Sequence, residues 1–155
     1  MVPGIRAEIR QSKPFPNLGS EAMVALQRTA SDLQWRLTEF LKPYGISPTQ
    51  YNALRILRGA GDEGLACNEI GERMLNRDPD ITRLLDRLVK SGLARRGRCK
   101  TDRRVITARI TDNGLALLKS LDAPLEDLNQ KITGQLGRQR LQEFLRTLDQ
   151  IRERV

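Results

Sequence analysis

Apolar residues recur along this chain in two periods, and the change from one to the other locates its elements. Met23, Leu26, Ala30, Leu33, Leu37 and Phe40 step by three and four, the spacing of one narrow face of a helix. That stripe predicts a helix from an N-cap at Ser20, with Glu21 in its first turn, to about Lys42, where Pro43 and Gly45 end it. Ser47-Pro48-Thr49-Gln50 combines a Ser cap, Pro at the first helical position and a capping-box Gln. The helix it opens buries Tyr51, Leu54 and Leu57 before Gly59, Gly61 and Gly64 break it. A short helix fits residues 67–74. Another begins at Asp78-Pro79 and ends at Ser91-Gly92, with Ile81, Leu84, Leu85 and Leu88 on one face and Thr82, Arg83, Asp86, Arg87 and Lys90 off it.

The period then shortens to two. Ile106, Ala108 and Ile110 alternate with Val105, Thr107 and Arg109, as in a half-buried strand. With Leu93-Ala94-Arg95-Arg96 on the other side of a polar turn over 97–103, it forms a β-hairpin directly after a helix-turn-helix. Helical spacing returns behind a Thr111-Asp112-Asn113 cap, in Leu118, Leu121, Leu125, Leu128 and Ile132. Pro124 is expected either to kink this helix or to divide it. Gly134 and Gly137 mark a turn, and Leu141, Leu145 and Leu148 line a last helix. The fold class expected is mostly α with a small β-hairpin. Leucine-rich stripes at both ends of the chain, remote in sequence from the centre, point to dimerisation.

Composition narrows the chemistry. The 155 residues contain no His, which excludes His-dependent triads and His-based zinc sites, and two Cys, too few for a disulfide scaffold or a four-Cys zinc site. No cofactor or metal is expected. Neither a Gly-Xaa-Ser-Xaa-Gly elbow nor a Walker loop nor a dinucleotide glycine pattern occurs, so an enzyme is not expected. The Lys13-Pro14-Phe15-Pro16 stretch reads as part of an extended arm, and no run resembles a signal peptide or membrane span. A reducing, cytoplasmic setting follows as the expectation.

Charge matters by position. The net charge is +8, and 21 of the 27 basic residues are Arg. Residues 73–109 hold ten Arg and two Lys against Asp78, Asp80, Asp86 and Asp102, so this segment alone carries +8 and the remainder sums to zero. Crowded like charge repels itself, and a phosphate backbone relieves that by displacing counterions. Double-stranded DNA is therefore the expected partner. In a helix-turn-helix the second helix enters the major groove. The candidate contacts are Asn76, Arg77, Asp80, Thr82, Arg83 and Arg87, with Asp80 also suited to complementing the helix dipole. In the hairpin, Arg96, Arg98, Lys100, Asp102, Arg103 and Arg104 are the candidates, since a narrow Arg-tipped turn fits a minor groove.

At these residues the chain resembles the MarR (multiple antibiotic resistance regulator) family of bacterial transcription regulators. The likeness is carried by Asn68-Glu69-Ile70-Gly71-Glu72-Arg73-Met74, Ile81-Thr82-Arg83-Leu84-Leu85-Asp86-Arg87-Leu88, Ser91-Gly92-Leu93-Ala94-Arg95, Asp102-Arg103-Arg104 and Ile110-Thr111-Asp112-Asn113-Gly114. It implies a winged helix-turn-helix flanked by N- and C-terminal dimerisation helices. The expected layout is a flexible arm over 1–19, a dimerisation helix over 20–45, the DNA-binding domain over 46–111 and dimerisation helices over 112–155. The resemblance further implies a homodimer on a pseudo-palindromic operator, usually as a repressor. Arg104 would enter the minor groove, held by Asp102. Ala66 stands where the family often has Thr or Ser, and Asp78, Pro79 and Asp80 where Arg, Ser and Thr are common.

The resemblance also implies release of DNA by a small anionic or phenolic ligand, for which Trp35, Tyr44, Tyr51 and Arg55 are the candidate pocket, or by cysteine oxidation. Cys99 lies between Arg98 and Lys100, and Cys67 near a helix start, settings that favour the thiolate. The alternatives are thus a redox-sensing regulator and a sequence-indifferent nucleic-acid binder.

Overall fold

The computed structural model describes residues 4–77, 80–98 and 104–155, and the chain divides into two compact units between Ala53 and Leu54. The first contains α1 (Ile5–Glu8), α2 (Leu18–Leu41), a 3-10 turn over Lys42–Tyr44, and the start of α3 (Pro48–Ala60). The N-terminal stretch expected to be an extended arm includes the single turn of α1, which Glu8 ties to Arg28 of α2 at 2.9 Å. The cap of α2 also differs from expectation. It is Asn17, whose Oδ1 accepts from the Ser20 backbone N–H at 2.8 Å, so Ser20 lies inside the first turn. The α3 cap is as its sequence reads: Ser47 N–H donates to Gln50 Oε1 at 2.9 Å, and Gln50 N–H to Ser47 Oγ at 3.2 Å. Along α2 only Leu41 is buried, whereas Met23 and Leu33 are each 42% exposed.

The second unit continues α3 through a 3-10 turn (Gly61–Glu63) into β1 (Leu65–Ala66), α4 (Cys67–Arg73), α5 (Ile81–Lys90), β2 (Ala94–Arg98), β3 (Ile106–Ile110), α6 (Asp112–Thr133) and α7 (Gly137–Arg152). The strands form an antiparallel sheet in the order β1-β3-β2. β2 and β3 pair from Ala94 opposite Ile110 to Arg98 opposite Ile106, and Leu65 and Ala66 pair with Ala108 and Thr107. The two-residue β1 leaves no periodic trace in the sequence; it exists because β3 offers a free edge. The central position of β3 also explains a departure from simple alternation. Thr107 is buried, with its hydroxyl 3.4 Å from the Gly97 carbonyl, while Ile106 near the hairpin end is 59% exposed.

Leu54, Leu57, Ile70, Leu85, Leu88, Leu118 and Leu121 form the heart of this unit's core. α4 lacks a side-chain cap at Ala66, as expected, and Glu69 compensates by accepting from the Ala66 N–H at 2.9 Å. α5 was expected to begin at Asp78-Pro79. Its first residue is instead Ile81, because Asp80 caps it, accepting from Arg83 N–H at 3.0 Å; Asp78 and Pro79 lie outside the described residues. Pro124 does not divide α6, which runs unbroken through it although the proline has no N–H to offer the preceding turn.

The join between hairpin and α6 is tight. Thr111 N–H donates to the Leu93 carbonyl at 3.1 Å, and Thr111 Oγ1 lies 2.6 Å from the Gly92 carbonyl. The same hydroxyl caps α6 by accepting from Gly114 N–H at 3.2 Å. A Cβ on Gly114 would stand 2.4 Å from the Leu93 oxygen and 2.7 Å from Ile110 Cγ1, so only glycine fits. Gly114→Ala should therefore cost ~1–3 kcal/mol, as overpacking does. Urea unfolding checks this, and an unchanged midpoint would contradict the packing described.

Candidate nucleic-acid interface

The exposed side of α5 carries Thr82, Arg83, Asp86, Arg87 and Lys90, because Leu84, Leu85 and Leu88 commit the opposite side to the core. Asn76 and Arg77 are exposed in the segment leading to α5. Asp80 holds Arg83 as well as capping the helix: its Oδ2 is 3.3 Å from Arg83 Nε, a side chain that stays 80% exposed. Asp80 is thereby assigned to capping and to steering an arginine. Its placement does not require contact with a base.

The hairpin is joined to this face by Arg96. Its Nη2 donates to Asp86 Oδ1 at 2.9 Å and to the Thr82 carbonyl at 3.3 Å. Arg96, one of the candidate wing contacts, thus lies against α5. It neutralises the one carboxylate on the exposed middle of that helix and fixes the first hairpin strand beside it. Spacing could not reveal this pairing, since the two residues lie ten positions apart on different elements. Arg98 is exposed at the end of β2, and Arg104 is exposed in the turn before β3. Lys100, Asp102, Arg103 and Cys99 lie outside the described residues.

The remaining candidates lie on α2, the 3-10 turn after it, α3 and α4. Trp35 is 63% exposed on α2, and Tyr44 packs against Phe40 with ring centroids 5.9 Å apart. Tyr51 is half-buried in the first unit, and Arg55 is exposed in the second. Cys67 is a free, half-buried thiol at the start of α4. Among the described residues no three His, Cys, Asp or Glu gather to hold a metal ion, and no helix is long and apolar enough to cross a membrane.

Two successive helices, α4 and α5, set between β1 and the arginine-bearing β2–β3 hairpin of one antiparallel sheet define a winged helix-turn-helix. The MarR family model matches residues 44–105. A MarR transcription factor from Planctomyces limnophilus, known as a crystal structure, is 38% identical, with a TM-score of 0.66 over 88% of this chain and 98% of its own. The chain belongs to the MarR family. It is also 31% identical over 98 residues to the HTH-type transcriptional regulator MhqR of Bacillus subtilis; the match covers 63% of this chain and 66% of MhqR, just under two thirds of that relative. The fold of S. aureus MepR in its complex with DNA is similar as well, with a TM-score of 0.76 at 20% identity, over 84% of this chain and 96% of MepR.

The Arg96–Asp86 bridge is partly exposed on both sides, at 37% and 57%, so it orients more than it stabilises. A double-mutant cycle with Asp86→Ala and Arg96→Ala should return a coupling of about 0.2–1 kcal/mol in unfolding free energy. Strictly additive losses would mean that the two side chains do not meet in solution.

Proposed function

We propose that this protein is a DNA-binding transcription regulator that acts as a homodimer, α5 reading the major groove and the β2–β3 wing reaching the adjacent minor groove. The observation that carries this reading is the shared face of α5 and the wing, on which Arg83, Arg87 and Arg98 are exposed while Arg96 holds the two elements together. Arginines in such an array donate in pairs to guanine edges or phosphate oxygens. Family membership and the likeness to MepR, whose structure is a complex with DNA, support DNA as the partner. Arg104 is assigned to the minor groove, where its planar guanidinium meets the negative potential of narrow A·T-rich tracts.

The dimer is supported by what one chain leaves uncovered. α7 buries no residue, with Phe144 49% and Leu145 58% exposed, and α2 presents Met23 and Leu33. A second copy is the occupant assigned to these faces, since two recognition helices about 34 Å apart are what a pseudo-palindromic site needs. Bound over a promoter, such a dimer represses by occlusion.

Competition binding tests the regulator reading. DNA from upstream of the protein's own gene should compete about 10³-fold or more better than random duplex, and equal competition would leave only a sequence-indifferent binder. Arg104→Ala should lose ~1–3 kcal/mol of operator binding. Arg87→Ala and Arg98→Ala should each lower the slope of log K against log [salt] by about 1, and Arg96→Ala by less, because Asp86 already offsets its charge. Sedimentation at micromolar concentration should give a dimer; a monomer would remove the two-fold model.

A further inference from the structure

The sheet face turned away from α5 carries a second concentration of arginine. Since Arg96 points toward α5, alternation along β2 sends Arg95 to the other face. There it stands directly opposite Arg109 of β3, a cross-strand pair of like charges that destabilises a sheet. Both line a cleft of about 360 Å³, with Arg58, Asp62, Thr111 and Asp112 around it. That volume lies at the lower end for small-molecule sites.

The cations of this cleft differ in how they are compensated. Arg58 is neutralised, its Nη1 being 3.0 Å from both oxygens of Asp122. Arg109 donates from Nε to the Glu63 carbonyl at 3.1 Å, a neutral acceptor. The Arg95 guanidinium makes no hydrogen bond or ion pair among the described residues, and there neither Asp62 nor Asp112 pairs with a guanidinium. Two opposed guanidiniums therefore face the cleft with two carboxylates at its edge. The backbone is shaped around them. Gly64, at φ 73 and ψ −173, is a conformation open essentially to glycine alone, and a Cβ there would stand 2.5 Å from Arg109 Cγ.

We propose that this cleft binds a small polyol phosphate, its phosphate between Arg95 and Arg109 and its hydroxyls donating to Asp62 and Asp112. Paired guanidiniums match two oxygens of one phosphate. The carboxylates, which repel a bare anion, become acceptors for a hydroxylated one. Because Ile110, Thr111 and Asp112 lead from β3 into α6, the ligand touches the base of the wing and the start of a long helix together. This inference does not depend on operator binding, so its failure and that reading's failure are separate results.

Thermal unfolding of the full chain with glucose 6-phosphate, inorganic phosphate or glucose is the test. At about ten times its dissociation constant, glucose 6-phosphate should raise Tm by about 3–6 °C; inorganic phosphate should raise it less, and glucose not at all. Arg95→Gln should fold normally, with Tm unchanged or higher without ligand because a repulsion is relieved, and should lose the ligand-induced shift. Arg98→Gln, on the α5 side, should keep it. No shift with either anion, a shift that survives Arg95→Gln, or loss of the shift in Arg98→Gln would each overturn the site. Equal shifts from phosphate and glucose 6-phosphate would overturn its polyol specificity.

Discussion

Two backbone carbonyls, those of Gly92 and Leu93, hold the wing to the helices on either side of it. Both are claimed by Thr111, at 2.6 Å and 3.1 Å, and Gly114 closes against the second. Gly92 ends α5 with φ 72, and Thr111 starts α6. A few residues therefore fix the exit of α5, both hairpin strands at their base, and the entry to the long helix. Backbone groups buried at such a junction must be paired, and here the pairing also sets the direction of the hairpin. Everything the charged surface does depends on that angle.

The chain's net charge of +8 acquires structure once individual partners are known. Arg83 is steered by Asp80, Arg96 by Asp86, Arg58 by Asp122, and Arg109 by the Glu63 carbonyl. Each charge pair is substantially exposed, so each contributes little to stability. Their effect is to restrict long side chains to one direction, which lowers the entropy cost of meeting a ligand. On the α5 side this leaves a cationic surface with one carboxylate neutralised, and on the far side an opposed arginine pair over a cleft. One three-stranded sheet serves both.

Legibility followed the range of the interaction. The Ser47–Gln50 box, the Thr111 cap and the amphipathic face of α5 are local, and the sequence displays them directly. Ser20-Glu21 reads as the cap of α2, yet a cap is chosen by which side chain reaches the free N–H groups, and that is Asn17. The two residues of β1 have no period to display. They are a strand because β3 lies beside them, a fact of tertiary structure. Arg96 reads as one more wing arginine until Asp86 and the Thr82 carbonyl are seen within its reach. The cleft pairs Arg95 with Arg109 through strand register, which the hairpin's loop length does not reveal. Of the interface candidates, those on α5 are where helical periodicity puts them.

The central claim is that α5 and the wing dock together on DNA, twice, across a two-fold axis. Footprinting on one operator fragment tests it directly, with dimethyl sulfate reporting guanine N7 in the major groove and hydroxyl radical reporting the backbone along the minor groove. Two major-groove protections about one helical turn apart, flanked symmetrically by minor-groove protections, are predicted. A single unpaired footprint, or uniform protection independent of position, would contradict it.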